Sequence, residues 1–392
     1  MGARIRELRE DVRGYSLREL AAKAHVSRSM LSMIERGERN ASEQVIASVA
    51  RALSVGVSHL RGQPYREQMQ KDRLDQMIEP LGAALDNWDL AAPDDAVPPR
   101  SLVAIRGDVM KTRAMREKAD LVGLAENLPS LMEEILHSLQ LGHSDAERAE
   151  LHWMQTEAAR GVWRVAYRVG EMHLARLALA RMAQAAARSE DPRQVAIERW
   201  MRAQTAFEGG APGLDIGLRL VTQALSDLGD DGRAETRAVR GALHLKGAIL
   251  SARRGDLDES DAWLDEARAI AKGTGETSCY ELTFGPTNVE FHAVAAAADR
   301  DKHSLALKRA KAVRIPDDFP VGRVGHFYLD LARAQVWTAQ HESAFDSLLK
   351  ARQQAPQQTR YHPQTIEVSA AIRRAKARIP DELREFCLWC GV

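Results

Sequence analysis

Arg28, Ser29, Ser32 and Met33 stand at the i, i+1, i+4 and i+5 spacing that puts four side chains on one face of a helix. These types suit the DNA major groove. An arginine can pair bidentately with guanine O6 and N7, worth about 1–3 kcal/mol of discrimination, and a serine hydroxyl serves either kind of base edge. Met33, one turn beyond Ser29, could meet a thymine methyl. Ser27, just before them, can cap the helix that carries them. Arg13 and Arg18 upstream, and Arg36, Arg39 and Asn40 downstream, are placed to contact phosphates, which position a protein on DNA without reading its sequence.

A second set of candidates lies far along the chain. In Phe284-Gly-Pro-Thr-Asn-Val-Glu-Phe-His292 a helix opens at Gly285-Pro286, and Asn288 and His292 then share a face. A buried asparagine costs stability unless it is bonded. On an inward-facing helix Asn288 could bond the backbone of a bound peptide; a solvated helix start is the plainer alternative. Trp163 with Tyr167, and Trp200 with Gln204, are further i,i+4 pairs that would either wall a ligand or pack helix on helix.

Chemistry of other kinds is poorly represented. Cys387-Leu-Trp-Cys390 has redox or zinc spacing, but no strand precedes it and a zinc site would need two more ligands, so packing of a terminal helix is expected. The 12 histidines include no i,i+3 or i,i+4 pair. No Gly-x-x-x-x-Gly-Lys loop is present, nor a Gly-x-Gly-x-x-Gly after a strand. The expectation is a protein that is not an enzyme and holds no metal or cofactor.

The elements that must carry the first set are legible in residues 16–37. Ser16 with Glu19 makes a capping box, and Leu17, Leu20, Ala21 and Ala24 follow at helical spacing. The break falls at His25-Val26. Ser27 starts the next helix, Met30, Leu31 and Ile34 form its apolar side, and Gly37 closes it. Ile5 and Leu8 before, and Val45, Ile46, Val49, Ala50 and Leu53 after, complete the core of four to five short helices. Ser16, Glu19-Leu20-Ala21, Val26-Ser27, Ser29, Ile34-Glu35-Arg36-Gly37 and Ala50 with Leu53 make residues 3–60 resemble a DNA-binding domain of the Cro/cI-repressor type, the xenobiotic-response-element family. That resemblance implies a helix-turn-helix that docks its second helix in the major groove. Leu17 stands where the family often has a phosphate-contacting glutamine, which leaves Arg18 to take that role.

Charge distribution agrees. The chain has 55 basic and 55 acidic residues, yet residues 1–65 carry 11 and 7 of them, leaving the remainder negative. Four excess charges are modest for a DNA-binding unit, and two joined copies would bind better through effective concentration, so a homodimer on a palindromic site in double-stranded DNA is expected. No run of eighteen apolar residues exists, the opening Met-Gly-Ala-Arg-Ile-Arg-Glu shows no secretory signal, and three cysteines have no framework spacing, which together fit a cytoplasmic chain.

The expected organisation is a DNA-binding domain over 1–62, a polar helix and Pro-rich hinge over 63–100, and a repeat domain over 101–392. The polar helix is expected to end at Pro80, and Pro93, Pro98 and Pro99 to keep the hinge non-helical. Beyond it helices recur in pairs. The clearest runs from Leu243 to Lys272 with a turn at Arg254-Gly255-Asp256, and another runs from Tyr328 to Pro356. Equivalent second-helix positions align at Ala175, Gly217, Ser260, Ser304 and Ala344, about 42 residues apart against about 34 for the standard tetratricopeptide repeat, which these pairs resemble. Pro380 and Asp381 start a closing helix with Leu383, Phe386, Cys387 and Cys390 on one apolar stripe.

The fold expected is all-α, a helix-turn-helix followed by an α-solenoid. That combination resembles the peptide-sensing quorum-sensing regulators and the actinobacterial helix-turn-helix/tetratricopeptide fusions. The resemblance implies a dimeric transcription regulator whose array senses a short peptide or small-molecule effector. A regulator that dimerises without a ligand and an interaction scaffold are the alternatives.

Overall fold

All regular elements are helical in the computed structural model, which describes residues 2–12, 14–37, 41–53, 60, 71–90, 97–118, 120–206, 211–375 and 380–390. The chain divides into two compact units, Met1–Lys71 and Asp72–Val392. The first contains α1 (Gly2–Glu7), which continues into a π turn at Leu8–Val12, then α2 (Leu17–Lys23), α3 (Arg28–Arg36) and α4 (Glu43–Leu53). Its core gathers Ile5, Leu8, Leu20, Ala21, Ala24, Leu31, Ile34, Ile46, Val49, Ala50, Leu53 and Leu60. These are the residues at apolar helical spacing, with Leu17, Met30 and Val45 packed around them.

The second unit runs α5 (Lys71–Asp86), α6 (Leu102–Glu117), α7 (Leu121–Leu139), α8 (Asp145–Val169), α9 (Met172–Ala186), α10 (Pro192–Ala206) and α11 (Ala211–Leu228). It continues with α12 (Ala234–Arg254), α13 (Leu257–Thr274), α14 (Pro286–Asp299), α15 (His303–Ala310), α16 (Val321–Trp337) and α17 (His341–Gln354). Short α18 (Pro356–Tyr361), α19 (Pro363–Ala375) and α20 (Asp381–Cys390) finish it. Successive helices pack as antiparallel pairs, α8 on α9, α10 on α11, α12 on α13 and α16 on α17. The pair α12–α13 shows how local chemistry builds the unit. Gly255 ends α12 at φ 114°, Asp256 caps α13, and buried Ser260 donates from Oγ to the Ala248 carbonyl at 2.8 Å to staple the two together. Small residues allow α11 the same close approach to α12: a side chain at Gly217 would press on Leu250 at 3.0 Å.

Several expectations are corrected. Pro80 does not end a helix; it lies inside α5 with its ring exposed, because Met77, Leu81, Ala84, Leu85 and Trp88 form a stripe that buries the opposite side. Arg181 Nε donates to the Leu85 carbonyl at 3.2 Å and Gln140 Nε2 to that of Leu90 at 2.8 Å, so this part of the expected linker is built into the second unit. The hinge residues 91–96 lie outside the described residues. Ser304 is exposed, and Ala306, fully buried, takes the inward position of α15 that Ala175, Ser260 and Ala344 hold in their helices. A helix starting at His303 puts its fourth residue, not its second, against the partner. The closing helix α20 buries Leu383, Phe386, Cys387 and Cys390, and burial pushes both thiols up, that of Cys390 to about 11.

Candidate functional site

The turn between α2 and α3 is set by caps. Ser16 Oγ accepts from Glu19 N at 3.2 Å while Glu19 returns a carboxylate to Ser16 N at 2.7 Å. His25 turns the chain at φ 53°, and Ser27 Oγ accepts from Met30 N at 3.1 Å. Gly37 closes α3 in the left-handed region at φ 76°. With Leu31 and Ile34 buried, α3 can turn only its other side outward. Arg28, Ser29 and Arg36 are exposed there, and Ser32 and Met33 half-buried. Arg36 Nη1 donates to Ser32 Oγ at 2.6 Å, and the Ser27 and Ser29 hydroxyls lie 3.2 Å apart. Ser27 is thus first a cap, with a neighbour that shares its hydroxyl. Arg18 is exposed on α2. Arg13, Arg39 and Asn40 lie outside the described residues.

One anchor of this helix has no local signal in the sequence. Arg9 in the π turn grips Glu35 with two parallel bonds, Nε to Oε1 and Nη2 to Oε2, both 2.8 Å, and its Nη1 donates to the Tyr15 carbonyl at 3.0 Å. Both side chains are buried. The pair fixes the end of α3 against α1, and 26 residues separate its members.

On the second unit the aromatic and amide candidates converge. Gln204 Nε2 donates to the Tyr167 hydroxyl at 2.9 Å, and its Oε1 accepts from Lys246 Nζ. That ammonium sits 4.2 Å from the Trp200 ring centre, and Trp200 Nε1 donates to the Ala242 carbonyl at 3.1 Å. Trp163 stacks on Tyr167 with centroids 4.9 Å apart and donates to Thr205 Oγ1 at 3.0 Å. It is a core residue, 4% exposed, while Tyr167, Trp200 and Gln204 remain half-buried.

Asn288 differs from the expectation of an amide offered to a ligand. Its Nδ2 donates to the Thr283 carbonyl and its Oδ1 accepts from Arg323 Nε at 3.0 Å. At 2% exposure both ends of the amide are used inside the protein, and its effect is to position Arg323. His292 Nδ1 lies 2.8 Å from the Asn288 carbonyl, which makes it the protonated nitrogen. Burial, reinforced by Arg323, holds His292 well below its ordinary value and therefore neutral. Arg323 and Lys246 carry the strongest chemistry on this face, and sequence reasoning passed over both.

A buried ion cluster closes another stretch of the same unit. Arg116 of α6, with its side chain fully buried, donates to Glu157 of α8 and to Glu281 at 2.6 and 3.1 Å. Arg160 Nη2 donates to the Tyr280 carbonyl at 2.5 Å, and the Tyr280 hydroxyl donates to Asp191 at 2.7 Å. Burial alone would raise the Glu157 carboxyl, but Arg116 and Arg160 override it and hold it at about 2. Tyr280 and Glu281 are kept at φ 53° and 58°, a region non-glycine residues rarely adopt.

Residues 5–60 match the Helix-turn-helix family, so the first unit is a helix-turn-helix domain. No curated protein matches the chain. Among solved structures, the crystal structure of Bacillus thuringiensis PlcR in complex with the peptide PapR7 and DNA aligns over 96% of this chain and 99% of that one, at 12% identity and a TM-score of 0.31. No helix among the described residues is long and apolar enough to cross a membrane.

Proposed function

We propose that this chain is a sequence-specific DNA-binding transcription regulator that works as a homodimer and senses an effector on its helical array. The observation that carries the reading is α3. It is capped at both ends, anchored through Glu35 and buried along Leu31 and Ile34, so it offers Arg28, Ser29, Ser32 and Met33 together on its open face. Arg28 and Ser29 are the residues for base edges, while Arg18 and Arg36, with Arg13, Arg39 and Asn40, serve phosphates. The small positive excess of residues 1–65 favours two linked copies on a palindromic operator. The half-buried polar and aromatic residues of α8, α10, α12, α14 and α16 support effector binding by the array. An effector that prefers one arrangement of the dimer would shift the population able to hold DNA.

The experiment is selection of sheared genomic DNA by the full-length protein, in parallel with a chain lacking residues 1–62 and with Arg28→Ala. The expected result is a two-fold-symmetric motif that the truncation loses and that Arg28→Ala binds at least about fivefold more weakly, as loss of a bidentate base contact implies. Full specific binding by Arg28→Ala rejects the assignment of α3 residues. Enrichment of an unrepeated half-site rejects the dimer on a palindrome. No enrichment, with or without cell extract as a source of effector, rejects the regulator.

A further inference from the structure

We propose that the face between Lys246 and Arg323 is an anion-binding site, where the effector's carboxylate or phosphate lodges. This rests on reading the array as the effector-binding part.

The first argument is convergence. Lys246 of α12, Arg323 and His326 of α16, His292 of α14, Arg164 and Arg168 of α8, and His362 before α19 are all half-buried, while the residues flanking them in their helices are mostly buried. They act on one another across the inside of the array. Burial, then Arg253 and Arg323, pulls the Lys246 ammonium down to about 7. Burial, then Arg323 and Arg168, pulls His326 down to about 3, and His362, whose ring meets His326 at 5.1 Å between centroids, falls equally far. Burial, then Arg168 and Arg160, brings even the Arg164 guanidinium to about 9. Lys246, His292, Arg323, His326 and His362 thus lie close enough to act on one another from α12, α14, α16 and the start of α19, with Arg323 Nη2 3.5 Å from His292 Nδ1.

The second argument is that, among the described residues, Lys246 and Arg323 have no carboxylate partner, whereas Arg116, Arg253 and Arg333 do. Among the described residues no carboxylate oxygen stands within 4.0 Å of Lys246, Arg323 or Arg164. The nearby acids are committed. Asp299 bridges Arg253 and Arg333 at 2.6 Å each, and Glu157 and Glu281 hold Arg116. Asp330, the acid that acts on Arg323, accepts from Gln364 Nε2 at 3.2 Å, and burial raises its carboxyl toward the neutral form. Unpaired charge withdrawn from water is costly, and a site shaped only for stability would pair it or replace it with apolar side chains.

The third argument is that the cations are held by neutral groups that leave donors spare. Lys246 spends one of three N–H groups on Gln204 and rests on the Trp200 ring; Arg323 spends Nε on Asn288 and sets Nη2 3.5 Å from His292 Nδ1, which leaves its Nη1 donors spare. A guanidinium fork and an ammonium, both oriented and half-exposed, are the usual donors to carboxylate and phosphate. The Asn288–Arg323 and Gln204–Lys246 bonds orient the donors before the ligand arrives, which lowers the ordering cost of binding.

The test is melting and titration calorimetry of the full-length protein with defined probes at constant ionic strength. The probes are sodium phosphate, citrate, and three pools of N-acetylated, C-amidated hexapeptides that bear Glu, Gln or Lys at otherwise matched positions; sodium chloride is the reference. The expected result is a rise in Tm with phosphate or with citrate and the Glu pool, which tells a phosphate ligand from a carboxylate one. Lys246→Gln and Arg323→Gln should each weaken that probe at least tenfold. A probe-free Lys246→Met protein should melt close to the parent, because no carboxylate is stranded and the half-buried Gln204 amide that loses its donor keeps Tyr167. If no anionic probe raises Tm, or if the rise survives in Lys246→Gln/Arg323→Gln, the inference is overturned. If the Gln or Lys pool binds instead, effector sensing stands and only the anionic ligand is rejected; the DNA selection above is judged separately. Should Arg323→Gln fail to fold, Arg323→Lys keeps the charge without the fork and is expected to weaken the probe less than Lys246→Gln does. Equal weakening by the two would count against a shared anion site.

Discussion

Replacing Arg116 by methionine should be among the most damaging single changes in the second unit. The side chain is fully buried and makes four hydrogen bonds, to the Glu157 carboxylate and carbonyl and to both carboxylate oxygens of Glu281. Methionine fills much of the volume but strands two acids whose side chains are at most 5% exposed. Breaking a buried ion pair by removing one partner costs about 3–5 kcal/mol. Compensation is partial: Glu157 retains Gln194 at 2.9 Å and Arg160 at 3.6 Å, and Glu281 retains Arg113 at 3.6 Å. A loss near the low end, about 3 kcal/mol, follows. At about 2.1 cal/mol/K of unfolding entropy per residue, that lowers Tm by roughly 4–5 °C if residues 72–392 melt together. The lost grip should also release Tyr280 and Glu281 from their left-handed backbone, so amides over 279–282 should exchange faster than in the parent. The assay is calorimetry with hydrogen exchange on the full chain, including Arg116→Met/Glu157→Gln/Glu281→Gln, which removes the stranded charges and should recover at least half of the loss. A cost below about 1 kcal/mol, or a triple variant no better than the single one, would refute the reasoning that these charges depend on one another.

Arg9→Met strands buried Glu35 behind α3 and should cost the first unit about 3–5 kcal/mol, read as weakened DNA binding that Arg9→Met/Glu35→Gln partly restores; undiminished binding by the single variant argues against the anchor. Gly241→Ala gains about 1 kcal/mol of helix propensity, but its methyl collides with the fully buried Phe284 ring, and overpacking costs about 1–3 kcal/mol, so Tm should fall; a rise would mean that the contact is looser than described. His326 and His362 titrate near 3 in the folded chain against about 6.5 unfolded, so the unfolded state binds more protons and stability should drop as pH falls from about 6.5 toward 3. Melting curves of His326→Gln/His362→Gln should show a shallower decline over that window, and an unchanged slope would assign the effect to other groups.

How much of this was legible in the sequence depends on the range of each interaction. Caps and apolar stripes act within about four residues and are therefore legible: Ser16, Ser27 and Gly37 bound the two motif helices, Gly255 and Asp256 divide α12 from α13, and Gly285-Pro286 opens α14. Trouble came where a local preference met a tertiary demand. Pro80 is a breaker by type, yet the buried stripe of α5 carries the helix through it. Ser304 matched the repeat spacing, but the start of α15 turned Ala306 inward. Asn288 could be read as a solvated helix start or as an amide for a ligand; it is buried, and Arg323, 35 residues on, takes its amide oxygen.

By itself, then, the sequence determined the helical class, the capped helix-turn-helix with its outward Arg28 and Ser29, and the paired helices of the second unit, since periodicity and capping are properties of neighbouring residues. Only the tertiary structure decided that Arg9 meets Glu35, that Arg116 meets Glu281 across 165 residues, and that Lys246 and Arg323 act on each other with no carboxylate of the described residues paired to either. Those meetings depend on how successive helices stack, a sum of side-chain volumes and turn geometries along the whole chain that no short window of sequence contains.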